Sequence, residues 1–288
     1  MYPIILQTRY FTIHSIWLFI TIGLLVGTYV FIKLGLKNGL KLQFLTENAL
    51  WVLISSIIGA RVFAILFNWK MFFYEYSMDT FTQIFKIWDK GLSIWGATIV
   101  GSVVLYYLCK KNEQEFLKWL DSLVPAFLIG LAITAIGAFL DGKWYGHETS
   151  LPWGVNFESP AIKYTVPIHP TQIYIMLYSG VIAAAAIIFK DYKFFEENGK
   201  SAILSIALFS LVQFFQEFLR GDDVTMIFSI RLSQIITALV FTISLTFFFI
   251  YYKKDTVKKR SNNKQKGCHI YLVESRAQHS TITTKCWD

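Results

Sequence analysis

Seven runs in this chain are long and apolar enough to be read as bilayer-spanning helices: 13–33, 49–68, 92–109, 118–140, 170–189, 202–220 and 229–252. A spanning helix needs about 20 mostly apolar residues, and in hydrocarbon each backbone polar group must be satisfied within the segment. The expected fold class is therefore all-α, a polytopic integral membrane protein with about seven transmembrane helices. Composition agrees, because 55% of residues are hydrophobic and only 16% charged, against about 25% charged in a soluble domain. In that setting the net charge of +8 points to anionic lipid headgroups and cytoplasmic loops. No nucleic-acid partner is expected.

Polar loops separate the runs, among them KKNEQE at 110–115 and KDYKFFEENGK at 190–200. After Tyr252 the chain turns basic, KKDTVKKRSNNKQKGCH. Residues 1–252 are thus expected to form a transmembrane domain, and 253–288 a basic, disordered cytoplasmic tail. Lysine and arginine counts in the flanks, decided by that tail, put the N-terminus outside and the C-terminus in the cytoplasm. The first run lacks a strongly basic start and a cleavage site, so it reads as an uncleaved anchor. Cys109, Cys268 and Cys286 show no metal or redox spacing. No metal or cofactor is expected.

A charge inside a spanning helix costs commonly ~2.5–3.5 kcal/mol on insertion scales, so each one asks for a partner or a task. Arg61 has apolar sequence on both sides in ALWVLISSIIGARVFAILFNW; it either snorkels, pairs with a buried carboxylate or serves a site. In LVQFFQEFLRGDD, helical spacing puts Gln213, Glu217 and Arg220 on one face, with Phe214, Phe215, Phe218 and Leu219 elsewhere. That face is either a self-neutralising pair at a helix end or a cavity wall with an anion-binding guanidinium steadied by a carboxylate. In IHPTQIYIML, Pro170 suits a helix start. His169 and Gln172 share a face there, as caps or as site residues. Gly91, Gly96 and Gly101 are spaced through an apolar run and permit close helix packing.

In this order, the stretches resemble the bacterial prolipoprotein diacylglyceryl transferase family. GARVFAILFNW is similar to its Gly-Ala-Arg segment, and GLSIWGATIVG to its Gly-Gly-Leu-Ser-x-(His/Tyr/Trp)-Gly-Gly segment. IGAFLDGKWYGHETSLPWGV resembles its signature, HPTQIY its His-Pro-Thr-Gln-Leu-Tyr-Glu, and EFLRGDD its Glu-Phe-Phe-Arg-x-x-Asp. The resemblance implies a bacterial plasma (inner) membrane enzyme of lipoprotein biosynthesis. Its substrates would be phosphatidylglycerol and the lipobox peptides of prolipoproteins, with the lipobox cysteine thiol attacking a glyceryl carbon and glycerol phosphate departing. It further implies His169, Glu217 and Arg220 as catalytic groups. Arg61, Trp95, Lys143, Gly146, Gln172 and Tyr174 would bind substrate.

The chain also departs from the family pattern. The signature arginine falls on Ala135, its asparagines on Ala138 and Asp141, and its glutamate on Lys143. The glutamate after the His-Pro segment falls on Ile175, the arginine ahead of Glu217 on Gln213, and a first-span tyrosine on Ile16. Lys143, the new cation in the signature, is expected to take over part of the phosphate binding, with Asp141 helping to position it. Three readings follow: the transferase itself, a catalytically altered or inactive relative that binds lipid or uses another substrate, and a small membrane transporter or scaffold. A transporter would usually carry internal repeats, and none is visible.

Overall fold

The computed structural model describes residues 2–9, 12–67, 91–157, 162–195 and 197–251. Within them the apolar runs form helices α1 (Ser15–Lys37), α2 (Leu42–Phe67), α3 (Ile94–Lys111), α4 (Phe116–Asp141), α5 (Thr171–Phe189), α6 (Lys200–Gln216) and α7 (Leu232–Tyr251). Five of these, α1, α2, α4, α5 and α7, are long and apolar enough to cross a membrane, while α6 is a shorter apolar helix. Seven helices match the seven runs, and the molecule is a helical membrane bundle. The basic tail, and the flank lysines Lys70, Lys86 and Lys90, lie outside the described residues.

Two helix boundaries differ from the sequence expectation for local reasons. The second run, expected from 49, starts earlier: α2 begins at Leu42 and runs through the polar triplet Thr46-Glu47-Asn48. Gln43 Nε2 donates to Glu47 Oε1 at 2.8 Å and Asn48 Nδ2 to the Phe44 carbonyl at 2.9 Å, so these side chains are satisfied on the helix itself. Helix α6 stops at Gln216 instead of reaching Arg220. There Phe218 and Leu219 N–H groups bond to Phe215 and Gln216 carbonyls in tighter turns. Arg220 therefore joins its neighbours through a turn and not through helical register.

The all-α expectation omitted two antiparallel hairpins, too short for periodicity to reveal. β1 (Ile4–Gln7) pairs with β2 (Thr12–His14) ahead of α1, and β3 (Met226–Ile227) pairs with β4 (Ile230–Arg231) ahead of α7.

Contacts at both ends of the bundle set the up-and-down order of the helices. At one end Asn38, after α1, donates to Ser122 of α4 at 2.8 Å, and Lys37 pairs with Asp191 after α5. The Asp121 carboxylate of α4 accepts from Lys190 Nζ at 2.6 Å and from the Gly199 and Ala202 N–H groups that open α6. Trp119 packs with Phe44, Leu105 and Cys109 nearby. At the other end His14 meets Asp141, the last residue of α4, and Ser93 N–H bonds to the Ala60 carbonyl of α2. The ends of α2, α4 and α6 and the starts of α1, α3, α5 and α7 share that second end. Close packing between helices rests on glycine: a Cβ on Gly23 of α1 would lie 2.6 Å from the Gly130 carbonyl of α4, and one on Gly96 of α3 only 2.3 Å from that of Gly59. Packing is what Gly96 and its neighbour Gly101, set against Ser56 Oγ, provide.

Candidate active site

At the second end the helices leave a cavity of about 380 Å³. Its walls are mainly aromatic and aliphatic, with Phe63, Trp95, Phe127, Trp144 and Phe209 among them; Gln213, Glu217 and Arg220 form a polar edge. A second, more apolar cavity of about 410 Å³ lies between α1 and α4 and shares Ile94, Phe127, Leu131 and Trp144 with the first.

Four charges meet at the polar edge. Glu217 is the residue that ends α6, and its side chain is fully buried. Its Oε1 accepts from Arg220 Nη1 at 3.0 Å and from Gln213 Nε2 at 2.7 Å, and its Oε2 accepts from Arg231 Nε at 3.0 Å. Asp222 bridges the same two guanidiniums: Arg220 donates to it through Nε, at 3.0 Å, and Nη2, and Arg231 through Nη2 at 2.6 Å. Arg231 also donates to the Arg220 carbonyl at 3.0 Å. Two cations and two anions cancel, so the desolvation cost of each charge is offset by paired, hydrogen-bonded partners. Arg220 carries five N–H donors. The bonds named engage its Nε and one hydrogen on each terminal nitrogen. Two N–H groups on the terminal nitrogens are left over by these bonds, and Arg220 lines the cavity.

Backbone latches hold this cluster against the loop that follows α4. Gly142 closes α4 in the left-handed conformation, φ +71°, which glycine adopts without steric cost. The loop then threads between two elements: Gly146 N–H bonds to the His169 carbonyl at 3.1 Å, His147 N–H to the Leu219 carbonyl at 2.8 Å, and Gly221 N–H to the Tyr145 carbonyl at 2.9 Å. A Cβ on Gly146 would lie 2.5 Å from His169 Cβ and 2.6 Å from its carbonyl oxygen. Only glycine fits. Gln172, fully buried, donates to the Lys143 carbonyl at 2.6 Å, and Thr171 Oγ1 donates to the Trp144 carbonyl. The start of α5 thereby fixes Trp144 on the cavity wall.

His169 lies just before α5, with its ring Nδ1 3.3 Å from the Tyr174 hydroxyl. That hydroxyl accepts from Trp153 Nε1 at 2.9 Å. Partial burial first, and then the neighbouring His147, push the His169 pKa below its ordinary value, so the neutral imidazole is favoured.

The sequence candidates gather at one end of the bundle but not on one wall. Trp95, Glu217 and Arg220 line the cavity. Arg61 is buried, neither facing lipid nor lining the cavity, and donates to the carbonyl of Gly91, which does line it, at 3.0 Å. Gly146, Gln172 and Tyr174 act within the scaffold, and His169, half-buried just before α5, is not among the residues lining this cavity. Lys143 is exposed and sits 2.9 Å from Asp141 Oδ2. The sequence reading missed Arg231 and Asp222. Arg231 abuts the last apolar run, and an arginine in that position is a signal that it needs a partner. Tyr178, whose hydroxyl donates to Gln213 Oε1, was missed as well.

Comparison with known proteins adds what geometry alone does not. The family model described as prolipoprotein diacylglyceryl transferase matches residues 3–250. A relative from Finegoldia magna, named phosphatidylglycerol–prolipoprotein diacylglyceryl transferase, is 31% identical over 251 residues, covering 86% of this chain and 95% of the relative. Relatives of the same name come from Clostridioides difficile (29% identical; 79% of this chain, 87% of the relative) and Prochlorococcus marinus (28%; 89% and 95%). The match spans every helix from α1 to α7, and the chain belongs to the prolipoprotein diacylglyceryl transferase family.

Proposed function

We propose that this chain transfers a diacylglyceryl group from phosphatidylglycerol to the lipobox cysteine of prolipoproteins, working in the bacterial plasma (inner) membrane with its N-terminus outside. The observation that carries this reading is Arg220, its guanidinium held by Glu217 and Asp222 at the polar edge of an otherwise apolar cavity. A lipid with an anionic headgroup has that polarity. In the reaction the cysteine sulfur forms a bond to the glyceryl carbon. The bond from that carbon to the phosphate oxygen breaks, and its electron pair leaves with glycerol phosphate. Arg220 stabilises the charge growing on the departing phosphate. Glu217 already accepts three hydrogen bonds, so its part is to orient Arg220, not to take a proton.

His169, neutral at physiological pH, is the group proposed to accept the thiol proton. A thiol of pKa ~8.5 needs such a base to become a nucleophile. Lys143, steadied by Asp141 next to Trp144 of the wall, attracts the headgroup to the rim. Arg61, Gly146, Gln172 and Tyr174 support the cavity from behind.

The test supplies the purified protein in detergent with phosphatidylglycerol and a lipobox peptide. Thioether-linked product is expected from the wild type. Far less is expected from Arg220→Lys, which keeps the charge but loses the planar fork. Lys143→Glu should raise KM for the lipid with kcat unchanged, as befits a rim charge. Absence of product from folded, lipid-binding wild-type protein would sink the proposal and leave the catalytically altered relative.

A further inference from the structure

The hairpin between Arg220 and α7 has a tip whose sequence does not suit its shape. Phe228 and Ser229 form the two-residue turn, with φ of +49° and +65°. Such turns strongly favour Asn-Gly or Asp-Gly, because a Cβ is crowded at positive φ. A bulky aromatic residue is among the least suited to that position. Among the described residues nothing recovers the cost, since Phe228 is 95% exposed. Met226 and Ile230 beside it are 60% and 48% exposed. Three large apolar side chains thus project from a segment of six residues.

The location supplies the occupant. β4 ends at Arg231, and the next residue, Leu232, begins the 20-residue apolar helix α7. The lipid-facing side of that helix, with Leu239 and Ile243 exposed, continues from the hairpin without a polar linker. At this depth a bilayer offers the boundary between headgroups and acyl chains, where phenylalanine and leucine side chains of interfacial segments insert. We infer that the β3–β4 hairpin is a membrane-interface seat: Phe228, flanked by Met226 and Ile230, inserts into the leaflet that α7 enters. Water at the tip would leave both the strained turn and the apolar patch uncompensated, whereas lipid covers the patch. The seat bears on the site because Arg231, on the returning strand, holds Glu217 and Asp222. Anchoring the tip fixes the strand that carries that guanidinium.

The inference rests on the fold and not on the proposed reaction, so its test needs no turnover. The full chain carrying Cys109→Ala, Cys268→Ser and Cys286→Ser receives a spin label at Phe228→Cys and is reconstituted in phosphatidylglycerol–phosphatidylethanolamine vesicles. A matched sample carries the label at Ser150→Cys, in the exposed loop after α4. Collisions with oxygen, which partitions into lipid, are compared with collisions with a water-soluble nickel chelate. At 228 oxygen should dominate, and at 150 the chelate. Met226→Cys repeats the measurement beside the turn, so a disturbed tip does not decide the outcome. Chelate-dominated collisions at both 226 and 228 would place the hairpin in water and overturn the inference. Low accessibility to both reagents would overturn it too, by putting a second protein surface on the patch.

Discussion

Replacing Arg231 with methionine tests whether the four-charge cluster is one unit. The change keeps most of the side-chain length but removes donors to Glu217 Oε2, Asp222 and the Arg220 carbonyl. Oε2 of a fully buried carboxylate then loses the only donor named for it among the described residues. Breaking a buried ion pair from one side costs typically 3–5 kcal/mol, because an uncompensated charge is left behind. Glu217 keeps Arg220 and Gln213 on its other oxygen, so the expected loss is at the lower end, about 3 kcal/mol. Arg231→Lys retains the charge but not the fork that reaches three acceptors, and should cost about 1–2 kcal/mol. The decisive comparison adds Glu217→Gln. If the cluster is a unit, Arg231→Met combined with Glu217→Gln will cost less than the sum of the two single changes, by a coupling of about 1–3 kcal/mol. Unfolding free energies in mixed micelles read this directly. Transfer activity should fall with Arg231→Met even where the protein stays folded, because Arg220 loses its frame. An Arg231→Met protein within about 0.5 kcal/mol of wild type, with additive effects in the double variant, would refute the reasoning.

Gly146→Ala places a methyl group 2.5 Å from His169 Cβ. It should lower stability by about 1–3 kcal/mol, the usual cost of overpacking, and reduce activity, read as a lower melting temperature and less product. Asp121→Asn, at the opposite end, breaks the pair with Lys190 while keeping one acceptor for the N–H groups that open α6. It should destabilise by about 3 kcal/mol without changing KM for lipid in the protein that remains folded. His169 has a lowered pKa in the folded state, so the unfolded chain takes up the proton first as pH falls. Its contribution to stability is complete above the ordinary value near 6.5 and is lost as pH falls through the folded value. His169→Gln should flatten that part of the stability–pH profile and remove the acid limb of the activity profile.

What the sequence revealed tracks the range of the interactions involved. The helices were legible because a spanning segment satisfies its own backbone, so length and apolarity locate it without reference to the rest of the chain. The Glu217–Arg220 pair was legible for the same reason, since three residues separate its members. Arg231 was not, because nothing local marks it as a partner of Glu217; only the return of β4 brings it there. Gln172 and Gly146 stand out in the sequence, but residue type does not say whether a buried amide meets a ligand or a loop carbonyl. Here it meets the carbonyl of Lys143. Asp121, a charge near the start of the fourth apolar run, is the acceptor that caps α6 from another helix. Such side-chain-to-backbone contacts leave no periodic trace.

The cluster also limits how the cavity can recognise an anion. Arg220 and Arg231 are balanced by Glu217 and Asp222, so the polar edge offers no net positive charge to an arriving phosphate. Long-range attraction must come from elsewhere, and on the proposed reading Lys143, exposed at the rim beside Asp141, supplies it. On the proposed reading, binding at the edge depends on geometry: two remaining N–H groups of a guanidinium held by two carboxylates. A flexible ammonium cannot supply that arrangement. The positions where the family pattern has arginine, Ala135 and Gln213, do not need a cation for it either. Ala135 is sealed in α4, and Gln213 donates to Glu217. Two guanidiniums remain at the edge: Arg220 facing the cavity and Arg231 steadying it from behind. On the proposed reading, the substituted site keeps donors for a phosphate while dispensing with the net charge.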